Sequence, residues 1–171
     1  MAEQTSGSEE KPQRLYFKSY LQVIRNSVGS NMFRNFYVKT TERSEFDALD
    51  DGYNSCAFYV SAILVIFKKM SDFHGTVDRT IEDLKKSGWQ EANEPEPGDV
   101  LVWEPKQFPE GRVKHIGFYV GDGKAVSTSI TTKTPQEHEQ NFSEEKRQIN
   151  QIFRMNDWED DIRIIGSGGL R

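Results

Sequence analysis

Lys114-His115-Ile116-Gly117-Phe118-Tyr119-Val120-Gly121-Asp122-Gly123 reads as a strand running into a tight turn. Period-two alternation puts His115, Gly117 and Tyr119 on one face and Ile116, Phe118 and Val120 on the other. Gly121-Asp122-Gly123 is a hairpin signal, so the chain is expected to return antiparallel over Ala125 to Ile130. Upstream, Pro95-Glu96-Pro97-Gly98-Asp99 punctuates the chain and Val100 to Trp103 forms a short strand. A polar loop is expected over residues 104–112.

The segments before this meander read as helices. Leu15, Tyr16, Tyr20, Leu21 and Ile24 fall near helical spacing, which predicts a helix over Leu15 to Arg25. Asn26 to Asn31 is a turn cluster, Met32 to Tyr37 a short aromatic segment of no assigned type, and Asp47 to Asn54 a loop. Ser55 is the expected cap of a helix running to Phe67 that is apolar nearly all round, with Ser61 the interruption. Lys68-Lys69 suits its C-terminal dipole. Thr76 opens a second helix, Val77 to Lys86, with Gly88 just past its end. Beyond the meander, a helix over about 143–154 and a strand at Ile162 to Ile165 are expected. Helices first and an antiparallel meander after them predict an α+β class. One domain over residues 14–165 is the economical reading, with flexible tails at 1–13 and 166–171.

Composition narrows the function classes. With Lys+Arg at 22 and Asp+Glu at 27, the net charge of −5 offers no footprint for wrapping nucleic acid, and no polybasic run points to an anionic membrane. Aromatics at 12% argue against a wholly disordered chain. The one cysteine cannot form an internal disulfide. The longest apolar run, Cys56 to Phe67, falls short of the roughly eighteen residues that span a bilayer, so no integral membrane segment is expected. The polar, acidic start lacks the layout of a secretory signal, which points to the cytoplasm unless the protein leaves by a non-standard route or phage-type release.

Cys56 stands at the expected N-terminus of the apolar helix, where unpaired amides and the helix dipole favour a thiolate. A thiolate attacks carbonyls when a base lies within reach. On position alone a buried structural cysteine fits as well. His115 leaves its strand opposite the bulky apolar row, and Gly117 on the same face leaves space for another element. His74 and His138 read as loop residues, His138 near enough to the hairpin to line a cleft. Three scattered histidines give no zinc-ligand spacing, so neither metal nor cofactor is expected. Glu9-Glu10, Glu144-Glu145 and Asp160-Asp161 read as solvated charge, and Trp89, Trp103 and Trp158 as core and rim packing.

Taken together, Ser55-Cys56-Ala57-Phe58-Tyr59-Val60, Pro97-Gly98-Asp99-Val100-Leu101-Val102-Trp103 and His115-Ile116-Gly117-Phe118-Tyr119-Val120-Gly121-Asp122-Gly123 resemble the NlpC-type cell-wall cysteine peptidases, papain-like hydrolases of peptidoglycan stem peptides. The resemblance covers about residues 50–130, and the related CHAP amidases share the outline. It implies a papain-like α+β fold, with N-terminal helices and the cysteine-bearing helix packed on an antiparallel sheet. It implies Cys56 as nucleophile and His115 as general base and acid. The Cys56 backbone amide and Tyr53 would be oxyanion donors, and Thr128 and His138 would line a cleft for a peptide or peptidoglycan fragment. Two departures stand out. Many members carry Asp-Cys-Ser-Gly where this chain has Ser55-Cys56-Ala57-Phe58, and the residue that orients the imidazole, often His, Asn or Gln, corresponds to Ser127, with Thr128 or Ser129 as neighbours able to substitute. Three alternatives stay open: an inactive binding module on the same fold, an intracellular protein peptidase or deamidase, and an acyltransferase of the lecithin-retinol type. The order Cys56 before His115 counts against the last.

Overall fold

The computed structural model describes residues 14–109, 111–143 and 146–158. The tails expected at 1–13 and 166–171, the strand expected at 162–165 and the three acidic pairs lie outside the described residues. Three α-helices are described, α1 (Tyr16–Asn26), α2 (Cys56–Ile66) and α3 (Val77–Lys86), with a 3-10 turn at Asn31–Phe33. A small ribbon pairs β1 (Tyr37–Val38) with β2 (Phe46–Asp47). The main sheet is built from β3 (Gln90–Glu91), β4 (Val100–Phe108), β5 (Gly111–Gly121), β6 (Lys124–Thr128), β7 (Pro135–Glu139) and β8 (Ile149–Arg154). Its order is β3-β8-β4-β5-β6-β7, every neighbour antiparallel. The α+β class follows directly.

One sheet face lies against the helices. Val100, Val102, Ile116, Phe118, Val120, Val126 and Phe153 join Tyr20 and Ile24 of α1, Tyr59, Val60 and Ile63 of α2 and Leu84 of α3 in one core. The alternation read from residues 115–120 therefore holds, and α2 is enclosed because its sequence offers no polar stripe to water. Ser61 is tolerated inside because its hydroxyl donates to Ala57 O, one turn back, and accepts from the His74 amide. The opposite face carries a smaller cluster of Leu101, Trp103, Ala125 and Ile152.

Several expectations are corrected. Ser55 does not cap α2 through its side chain: its backbone is already helical and its hydroxyl turns back to Gly52 O. Residues 104–108 and 111–112 are strand, because β4 and β5 continue as a paired arm beyond the buried sheet (Lys106↔Val113, Gln107↔Arg112). Their polar composition reflects exposure of that arm. The helix expected over 143–154 is absent from the described part of that span, and residues 149–154 form β8, held between β3 and β4. A register shift between Val102 and Trp103 breaks the period of two in this strand, so Ile149, Ile152 and Phe153 imitate helical spacing. The β6 strand ends at Thr128 rather than Ile130, and β3 and β7 have no counterpart in the expected elements. Thr76 caps α3 as expected, and Asp122 and Gly123, with φ of 51° and 71°, make the turn into β6.

The loop before α2 is built around one carboxylate. Asp47 accepts from the amides of Phe36, Leu49 and Asp51 and from the Asn35 side chain. Burial alone would raise its pKa, but these bonds prevail and hold it at about 2. A second carboxylate ties the end of β8 to the turn before β4. Buried Asp99 accepts from Nε and Nη2 of Arg154 and from the Glu96 amide, while Arg154 Nη1 also donates to Glu96. Removing one partner of a buried pair strands the other charge. Arg154→Ala is expected to lower unfolding stability by about 3 kcal/mol, read from urea melts, with Arg154→Lys recovering part of the loss.

Candidate active site

A cleft of about 930 Å3 opens where the first turn of α2 meets the start of β5. Its walls include Tyr53, Cys56, His115, Ser127, Thr128 and His138, so every candidate residue named from the sequence faces one space. Cys56 and His115 thus line one cleft, and both keep partial exposure. The exposed β4–β5 arm supplies Lys106, Phe108, Arg112 and Lys114 to the same wall.

Cys56 enters the cleft as the first residue of α2. The amides of Ile116 and Ala57 favour negative charge on its sulfur. The helix start was expected to favour the thiolate. The balance runs the other way: burial pushes the thiol up and outweighs those amide bonds and the nearby positive charge of Arg147. His115 pairs across the sheet with Trp103, and its ring lies 5.5 Å from the indole, centroid to centroid. Burial, then Arg147, then His138 push its pKa down to about 3. Thiol and imidazole therefore rest uncharged near neutral pH.

The imidazole is held by the strand next door. His115 Nε2 lies 2.8 Å from Ser127 Oγ, on buried β6. Glycine at 117 makes that contact feasible: a Cβ there would sit 2.6 Å from both Ser127 Cβ and Val126 O. The space expected beside Gly117 is thus filled by Ser127 itself. With Nε2 engaged by Ser127, Nδ1 is the ring nitrogen of His115 not committed to that bond.

The sequence reading put His138 in a loop at the cleft, and it missed Arg147 altogether. His138 is a residue of β7, in register with Ala125, and its Nε2 lies 2.7 Å from the same Ser127 hydroxyl. Its Nδ1 lies 2.8 Å from Glu139 O, and its ring stacks on Phe142 at 4.1 Å. Alternation of Gln136 and His138 along an edge strand that starts at Pro135 was the available signal. Arg147, buried in the segment before β8, donates through Nε to Glu104 O and through Nη2 to Val113 O. Nothing local in the sequence marks it. Tyr53 and Thr128 stand on the wall, Thr128 buried as the last residue of β6. His74 belongs elsewhere, its Nε2 2.7 Å from Asp83. Burial would raise that carboxyl, but bonds from His74, Ser71 and Ser87 keep it below the usual range.

The chain matches no family model, and no match is found among curated proteins. Among the described residues no helix is long and apolar enough to cross a membrane.

Two measurements check this geometry. Gly117→Ala should cost about 1–3 kcal/mol in a chemical melt and displace Ser127 from His115. For pH, the folded pKa of His115 lies far below the usual 6.5, so the unfolded chain takes up protons first. The stability due to His115 is complete above about pH 6.5 and is lost progressively toward about pH 3, a window above that of Asp47. Melting temperature should fall across that window in the wild type, and less steeply in His115→Gln.

Proposed function

We propose that the protein is a cysteine hydrolase that cleaves amide bonds, with Cys56 as nucleophile and His115 as general base and then acid. The observation that carries the reading is the bond from His115 Nε2 to Ser127 Oγ in the cleft that Cys56 opens onto. It orients an imidazole by one nitrogen and leaves the other for a proton from sulfur.

In the proposed reaction Sγ–H gives its proton to His115 Nδ1 as sulfur bonds to the carbonyl carbon. Starting from an uncharged pair, the proton moves during attack rather than before it. The first-turn amides of α2, that of Cys56 among them, have no intrahelical acceptor and can donate to the developing oxyanion. Tyr53 is a second candidate donor from the wall. The C–N bond then breaks, and the His115 proton leaves with the amine. Water hydrolyses the thioester, regenerating the thiol and releasing a carboxylic acid. Arg147 favours negative charge on sulfur and oxygen and disfavours lasting charge on His115.

For substrate we propose peptidoglycan stem peptides, the class implied by the NlpC-type resemblance, on a papain-like scaffold. The cleft wall supports a carboxylate-bearing peptide: Lys106, Arg112 and Lys114 line it beside Asp78, which pairs with Lys114 at 2.6 Å. One observation favours a second reading, a binding module on the same scaffold: burial raises the Cys56 thiol instead of activating it at rest.

Incubation with a muropeptide mixture and mass analysis of the products separates the two. The wild type should release hydrolysis products, Cys56→Ala none above background, and His115→Ala at least 1,000-fold less, roughly the scale on which removing a catalytic-triad member acts. Equal products from wild type and Cys56→Ala, or none from either, would overturn the hydrolase reading.

A further inference from the structure

His138 is the second histidine of the cleft and the proposed chemistry leaves it unused; its bonds impose a direction on the whole chain of groups. Glu139 O is a carbonyl and can only accept, so the contact at 2.8 Å requires the proton on His138 Nδ1. A neutral His138 then has a lone pair at Nε2, and the Ser127 hydroxyl must donate to it across 2.7 Å. That hydroxyl has one proton. Having given it to His138, Ser127 can only accept from His115 across 2.8 Å, which puts the His115 proton on Nε2 and a lone pair on Nδ1.

We infer that His138 is a positioning residue: through Ser127 it fixes the tautomer in which His115 can act as a base, and its protonation reverses the chain. Protonated His138 carries hydrogen on both nitrogens, so Nε2 donates to Ser127. The relay balances with one added proton: His115 Nδ1 takes it from water in the cleft, the His115 Nε2 proton passes to Ser127 Oγ, and the former Ser127 proton becomes the Nε2 proton of His138. The hydroxyl then donates to His115 Nε2, and the lone pair that would receive hydrogen from sulfur is closed. That this matters for catalysis rests on the hydrolase reading; the direction of the chain does not.

The surroundings keep His138 neutral at pH 7 without removing its ability to titrate. Burial pushes its pKa down, and Glu137 and Glu139 on its own strand push it up. From β6 come Ser127 and Lys124, the latter paired with Glu139. From β5 comes His115, and β4 contributes the uncharged Trp103, 5.7 Å away ring to ring. Phe142 stacks on the ring, and Arg147, in the segment before β8, acts on His115. On acidification His138 is the first of the two imidazoles to charge, because His115 is held down to about 3.

The test is long-range proton–nitrogen NMR on the 15N-histidine-labelled full chain, joined to kinetics on the muropeptide mixture. At pH 7 the wild type should show His115 protonated at Nε2 and His138 at Nδ1. As His138 titrates, the His115 signals should shift to the Nδ1–H pattern and kcat/KM should fall with the same midpoint. His138→Gln, whose amide oxygen can accept from Ser127 but cannot titrate, should keep kcat within about tenfold and lose that acid limb. His138→Phe should lower kcat at least tenfold with KM within twofold. His115 found as Nδ1–H at pH 7, or held as Nε2–H on both sides of the His138 titration, overturns the inference, and wild-type NMR alone decides this if a variant fails to fold. Unchanged tautomer and kcat in His138→Phe, with Cys56→Ala inactive, overturns it and leaves the hydrolase reading standing. The expected tautomers in a protein that cleaves nothing uphold the chain direction and sink that reading.

Discussion

A serine hydroxyl has one proton to give, and in this cleft two imidazoles stand within hydrogen-bond distance of it. Everything about the site follows from how that single proton is assigned. A carbonyl at the far end, Glu139 O, settles the matter because it has no proton to offer. The direction set there runs through His138 and Ser127 to His115. A carboxylate in place of Ser127 would hold an imidazolium by charge; a hydroxyl holds a neutral imidazole by orientation, which suits a ring kept uncharged by burial.

That arrangement makes demands on parts of the chain far apart in sequence. β6 and β7 must pair so that Ala125 faces His138 and Ser127 faces Gln136, which brings Ser127 and His138 diagonally together on one face. β5 must lack a side chain at Gly117 so that Ser127 can lean across to His115. Trp103, buried and in register with His115, forms a floor for the ring and is itself fixed by a bond from Nε1 to Gln140 O. On the other side of the site, the Asp47-centred loop delivers the chain to α2, so that the first residue of a buried helix opens onto the cleft. In the proposed hydrolase the first amides of that helix and the engaged imidazole are thus contributed by separate layers, helix and sheet, meeting along one line.

Much of the scaffold was legible because its signals are local. The apolar content of residues 56–67 demanded an enclosed helix, and alternation over 115–120 demanded a strand with one buried face. The glycines around Asp122 demanded a turn, and Thr76 followed by Asp78 demanded a helix start. The readings that failed are those in which an element takes its identity from a neighbour. Residues 149–154 become a strand by pairing on both sides, with a register shift that disguises the period. Residues 104–108 are strand although polar, since their arm meets solvent instead of core. Ser55 looked like a cap, but its own backbone is already helical and its hydroxyl donates to Gly52 O in the preceding turn.

By itself the sequence determined the α+β class, the helix that begins at Cys56 and the strand that carries His115, while Ser127 became a candidate only through the NlpC-type resemblance. Periodicity, turn chemistry and residue type act over a few positions, and they suffice for that. Only the tertiary structure decided that His138 stands behind Ser127, that Arg147 lies close enough to act on both sulfur and imidazole, and that both of those groups rest neutral. These depend on strand register and on exclusion of water. Both are properties of the assembled sheet and its enclosing layers, and no short stretch of residues carries them.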